Sequence, residues 1–118
     1  MKSKRTTEDY VKTIYTLSHN GEVRRCRLAE CLSVSRPTVS ISIKALSEAG
    51  LVYTDDANGI HLTESGLNIA KTVEERHRVL CDLLVRLGVD ETIASRDACR
   101  MEHVLGEESF LALKSLTQ

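Results

Sequence analysis

"CRLAECLSVSRPTVSISIKALSEAGL", residues Cys26 to Leu51, carries two helical patterns separated by a very short break. The first pattern runs to Leu32 and the second from Arg36 to about Ala49, with a tight turn at Ser33 to Ser35 between them. Pro37 stands in the first turn of the second pattern, where its missing N–H costs nothing and its fixed φ suits the helix. Gly50 follows as a terminator. Two helices joined by a three- or four-residue turn, the second the longer, predict a helix-turn-helix.

On the C-terminal side, "LVYTDDANGIHLT" has β-prone Leu51 to Thr54, turn residues Asp55 to Gly59 and a returning strand at Ile60 to Thr63. A hairpin directly after a helix-turn-helix is the order of a winged-helix DNA-binding domain, and that order is more specific than any single element. On the N-terminal side, "TEDYVKTIYTL" spaces Tyr10, Val11, Ile14, Tyr15 and Leu17 as a helix, with Glu8 and Asp9 near its start, where the helix dipole favours negative charge.

Thr63 is placed to cap a long helix, "ESGLNIAKTVEERHRVLCDLLVRL", whose Leu67, Ala70, Val73, Leu80, Leu84 and Leu87 form one apolar stripe. Some 24 residues at 1.5 Å each reach about 36 Å, more than a small winged-helix core covers, so part of the stripe should meet a second subunit. Gly88 ends this helix, Asp90 caps the next, and Gly106 precedes a last helix, "EESFLALKSL". The expected fold is mostly α: a winged helix-turn-helix with a β-hairpin wing over residues 1–63, then an all-helical dimerisation domain over residues 64–118.

Hydrophobic residues make up 42% of the 118, aromatics only 3%, and there is no Trp, so the core must be built from Leu, Ile, Val and Ala, as packed helices allow. There is no apolar run of membrane-spanning length and no secretory pattern in "MKSKRTTEDY", so a cytoplasmic protein with no membrane partner is expected. Its four cysteines are then free thiols or metal ligands, with Cys26 and Cys31 read as ordinary packing. The net charge of −1 conceals a separation: residues 1–50 hold nine Lys and Arg against five Asp and Glu, while residues 51–118 hold seven against twelve. The basic front half suits a polyanion.

"DACRMEHV", Asp97 to Val104, stacks Cys99, Glu102 and His103 on one face of an α-helix, roughly opposite the stripe of Ile93, Ala94, Ala98, Met101 and Leu105. A thiol, a carboxylate and an imidazole make half of a metal site. His77 and Cys81, four residues apart on the long helix, are possible further ligands. The competing reading makes His77 a solvated residue, Cys81 a core filler and the trio a surface face with a partly buried thiol. An enzymatic reading lacks parts: the segment has one His where a zinc peptidase helix has two, and there is no phosphate loop or nucleophile elbow.

"TTEDYVKTIYTL", "LAECLSVSRPTVSISIKALSEAGLV", "LTESGLNIAKTVEERHRVL" and "RLGVDETIASRDACRMEHVL" together resemble the diphtheria-toxin-repressor and manganese-transport-regulator family of metal-dependent transcriptional repressors. The resemblance covers nearly the whole chain and implies an N-terminal winged helix, a helical dimerisation domain and Fe(II) or Mn(II) as corepressor at metal-homeostasis genes. Residue by residue, it implies metal ligands at Asp9, Cys99, Glu102 and His103, with His77 contributing to a neighbouring site. Lys12 falls where manganese regulators supply a Glu, while Cys81 and Ser95 fall where iron regulators supply Glu and His. The chain stops near Gln118, so the SH3-like domain of some relatives is expected to be absent. A thiolate ligand favours Fe(II) ahead of Mn(II).

On the DNA side, Ser35, Arg36, Pro37, Thr38 and Ser40 match the family's groove-facing segment. Ile41 stands where some relatives have Gln; it can touch a thymine methyl but cannot read a donor or acceptor. Arg24, Arg25, Arg27 and Lys44 are candidate phosphate contacts, and acidic Asp55 and Asp56 predict a weak wing. The expected partners are double-stranded DNA with a palindromic operator and a second copy of the chain, with no small-molecule substrate.

Overall fold

The computed structural model describes residues 4–117. The elements are α1 (Lys4–Ser18), α2 (Arg25–Leu32), α3 (Arg36–Glu48), β1 (Val52–Thr54), β2 (Ile60–Leu62), α4 (Glu64–Arg86), α5 (Glu91–Met101), α6 (Glu107–Lys114) and a closing 3₁₀ turn (Ser115–Thr117). They form two compact units, one up to Lys71 and one from Thr72 on, so that α4 contributes its first two turns to the former and the rest to the latter.

The first unit is a winged helix-turn-helix. Its core gathers Tyr10 and Ile14 of α1, Leu28 and Ala29 of α2, Val39, Ile43 and Leu46 of α3, and Val23, Val52 and Ile60. The turn between α2 and α3 depends on Ser33, which adopts the left-handed conformation (φ 56°) and donates its N–H to the carbonyls of Ala29 and Glu30. This satisfies the last carbonyls of α2. Ser35 then caps α3: its hydroxyl accepts from the Thr38 N–H at 3.2 Å, and Pro37 lies in the first turn.

The wing is a two-stranded antiparallel hairpin pairing Val52 with Leu62, Tyr53 with His61 and Thr54 with Ile60. The Ile60 N–H also donates to the Val23 carbonyl at 2.9 Å, which ties the approach to α2 onto β2. Thr63 locks the start of α4: its N–H donates to the Leu51 carbonyl, its hydroxyl donates to the Gly50 carbonyl at 2.6 Å and accepts from the Gly66 N–H. Gly66 packs so closely on the Leu51 carbonyl that a Cβ there would overlap it.

In the second unit, Val73, Val79 and Leu80 of α4, Ala94 and Ala98 of α5 and Phe110 of α6 are buried. Asp90 caps α5 by accepting from the Thr92 N–H. The Arg76 guanidinium lies over the Phe110 ring, 5.1 Å from its centroid, and Lys114 pairs with Glu75 at 3.1 Å.

Three sequence expectations change in detail. α1 begins at Lys4, so Glu8 and Asp9 fall beyond its first turn and do not neutralise the orphan N–H groups there. α5 ends at Met101, so Glu102 and His103 lie in the turn that follows and do not continue a helical face. Cys31 is exposed, so it does not serve as packing.

Candidate functional site

In the second unit, α4 supplies His77 and α5 supplies Cys99, while the turn ending α5 turns the Glu102 side chain inward. Glu102 is 2% exposed, an unusual position for a carboxylate without compensation. Its Oε2 lies 3.1 Å from His77 Nδ1, and its Oε1 lies 3.3 Å from His103 Nε2. The Cys99 sulfur lies 3.7 Å from His77 Nδ1. One donor atom each of His77, Cys99 and Glu102 falls within 4.8 Å of the others.

These separations fit an ion. Metal–donor bonds of about 2.0–2.3 Å put neighbouring donors about 3–4 Å apart, so an imidazole, a thiolate and a carboxylate already stand near ligating geometry. The mixed donor set suits a divalent transition metal. The site is less a surface face than the spacing suggested: the carboxylate and the His103 ring are buried, and Cys99 is the exposed member. Cys81 is half-buried and lines a cavity of about 550 Å³ with His77, Glu74, Asp82 and Glu91; it is not one of the three gathered donors.

Sequence reasoning missed Arg76. Its Nη1 donates to the Leu105 carbonyl at 2.6 Å and reaches the Glu102 carbonyl at 3.5 Å, holding the turn that places Glu102 and His103. It immediately precedes His77, but nothing in its sequence context marks a contact 29 residues along the chain.

In the first unit, a groove of about 450 Å³ is lined by Arg24, Arg25, Cys26, Arg36, Ser40 and Asn58, which bring together α2, α3 and the wing tip. Arg25 and Ser40 also line a second groove, of about 480 Å³, that runs past Lys44 towards Thr54. Ser35, Arg36, Pro37, Ser40, Ile41 and Lys44 are exposed, and Thr38 is half-buried beside the Ser35 cap. Arg27 is exposed and lines neither groove.

Arg24 is committed within the fold: Nη1 donates to the Ala57 carbonyl at 2.7 Å and Nη2 pairs with Glu22 at 2.9 Å. Asp55 is committed too. Its Oδ1 accepts from the Ala57 and Gly59 N–H groups and its Oδ2 pairs with His61 Nε2 at 2.7 Å, which holds the carboxyl below its ordinary value of 3.8, the His61 hydrogen bond contributing most. The acid therefore shapes the wing turn, with Asn58 in the left-handed conformation (φ 65°) at its tip.

A cationic winged helix-turn-helix and a helical unit with a gathered His, Cys and Glu define a DNA-binding regulator of the metal-responsive class. Residues 3–60 match the family described as "Iron dependent repressor, N-terminal DNA binding domain", and residues 63–118 match "Iron dependent repressor, metal binding and dimerisation domain". The chain belongs to the iron-dependent repressor family. It is 39% identical over 112 residues to the transcriptional regulator MntR of Escherichia coli O6:H1, covering 94% of this chain and 72% of that one. It is 37% identical over 105 residues to the diphtheria toxin repressor of Corynebacterium diphtheriae, covering 87% of this chain and 46% of that protein. Among solved structures, a manganese-dependent transcriptional repressor in complex with manganese superimposes with a TM-score of 0.82 at 34% identity, over 92% of this chain and 51% of that one. The chain thus spans about half the length of the diphtheria toxin repressor and of that structure.

Proposed function

We propose that this metal-dependent transcriptional regulator represses metal-homeostasis genes by binding a palindromic operator as a homodimer when Fe(II) or Mn(II) is bound. The convergence of His77, Cys99 and the buried Glu102 carries this reading, since it leaves a carboxylate facing imidazole and thiol in ion-sized geometry. His103, against the other Glu102 oxygen, completes the set on this unit. Asp9 is the further ligand that the family resemblance assigns, and Cys81 is a reserve ligand beside His77. The thiolate favours Fe(II) over Mn(II), while the carboxylates suit either.

When bound, the ion supplies positive charge that lets carboxylates and thiolate approach one another. Glu102 would hold the ion through the carboxylate oxygens that face His77 and His103, and Arg76 keeps that turn from fraying. The resemblance that assigns Asp9 of α1 as a ligand would make operator binding respond to metal occupancy. Only differential affinity of the metal for DNA-competent and DNA-incompetent arrangements of the protein can shift their populations, and a coupling of about 1–3 kcal/mol per subunit is expected.

The reading is of a binding protein and not an enzyme, acting in the cytoplasm where its DNA is. No helix among the described residues is long and apolar enough to cross a membrane. Leu87, Val104, Leu111 and Leu116 of the second unit are more than half exposed, an apolar surface suited to a second copy.

The test is fluorescence anisotropy on duplex DNA from the gene's own promoter region, first with EDTA, then with Mn(II), then with Fe(II) under anaerobic conditions. Tight, metal-dependent binding is expected, with sedimentation showing a dimer. Operator binding that ignores both metals would overturn the metal switch, and a strictly monomeric protein at micromolar concentration would overturn the architecture.

A further inference from the structure

Ile41 is 66% exposed, the most exposed large hydrophobic side chain described in the first unit, and it sits in the middle of the recognition helix α3. Isolated apolar residues are common on surfaces, but the place of this one is specific. Turning α3 by about 100° per residue puts Val39, Ser42, Ile43 and Leu46 on the buried side. The exposed side divides into two edges. Arg36 and Ser40 form a polar edge facing the groove shared with Arg24 and Arg25. Ile41 forms an apolar edge one turn beyond Pro37, with Lys44 between the two edges.

Cationic groups flank this helix face, so its partner is a polyanion, and an α-helix of this size fits the DNA major groove. A branched hydrocarbon presented there has one apolar feature to meet, the C5 methyl of thymine. We infer that Ile41 is a specificity-determining residue that reads a thymine methyl in each operator half-site. The inference rests on the DNA-binding reading above and adds to it the base that this position selects. Polar neighbours fix register through phosphates without carrying sequence information, whereas the Ile41 side chain gains only where a methyl group is buried against it.

The probe is a library of random 25-base-pair duplexes, enriched against the full chain in Mn(II), followed by anisotropy on the winning duplex. Each thymine of that duplex is then replaced singly by deoxyuridine, which removes only the methyl group. One symmetry-related thymine pair should stand out, with uracil there weakening wild-type binding about three- to fivefold, the effect of losing one buried methyl contact. In Ile41→Ala the same replacement should change affinity less than about 1.5-fold, because the contact is already gone. Ile41→Gln should move the preference at that position toward adenine, which an amide reads. The exposed position makes all three proteins foldable, which circular dichroism checks. Uracil tolerated at every thymine, or equally harmful in wild type and Ile41→Ala, overturns the inference and leaves DNA binding standing. A library from which the wild type enriches no sequence overturns both.

Discussion

Ser42→Ala should stabilise the protein. Ser42 follows Ile41 in α3 but faces the opposite way: it is 0% exposed, and its hydroxyl has no hydrogen-bond partner among the described residues. A hydroxyl taken out of water without a partner costs about 1–3 kcal/mol. Alanine removes that cost and adds up to about 0.5 kcal/mol of helix propensity, against a small loss of packing where the oxygen was. The net gain should be about 1–2 kcal/mol. With a urea m-value of about 2 kcal/mol per molar, the unfolding midpoint should rise by about 0.5–1 M with the slope unchanged. Circular dichroism in urea measures it. Metal-dependent DNA affinity should stay within twofold or so, because the side chain faces the core. A midpoint lower than wild type would refute the reasoning, since it would mean that the hydroxyl contributes to the native state.

The remaining predictions concern the two sites. Cys99→Ala should weaken Co(II) binding at least about tenfold and abolish the thiolate-to-metal charge-transfer band; an undiminished band would remove Cys99 from the ligand set. Asp9→Ala should retain metal binding through His77, Cys99, Glu102 and His103 yet lose most of the metal-dependent gain in operator affinity, and an unchanged gain would overturn the assigned role of Asp9. Asp55 is held below its ordinary value in the fold, so its contribution is complete above that value and is lost as pH falls through the lower, folded value. The stability advantage of wild type over Asp55→Asn should therefore be constant at neutral pH and shrink below about pH 4, as acid titrations of both proteins will show.

The winged helix was legible because its determinants are local. Ser35, Pro37 and Gly50 punctuate α3, and the Asp-Ala-Asn-Gly run makes the wing turn, all within a few residues of what they control. The metal centre was legible as residue types but not as geometry. The apolar period carries on through Met101 and Leu105, so periodicity extends α5 past its end; the turn is held by Arg76 from another helix, a tertiary contact that leaves no local trace. Charge alone did not show what Asp55 does in the fold. Its carboxylate accepts from two backbone N–H groups and pairs with His61, and Asp56 is the exposed acid beside it.

The close approach of Gly66 to the Leu51 carbonyl narrows the routes by which the chain can diverge. Glu64 and Ser65 before it are exposed and can be exchanged for most side chains at little cost. Position 66 cannot, because any Cβ must displace a carbonyl that already accepts from Thr63, beside a second that does the same. A saturation scan of residues 64, 65 and 66 would show one closed column beside two permissive ones. The junction between wing and long helix can therefore drift in charge and polarity over many generations while its backbone path stays frozen by a single hydrogen atom.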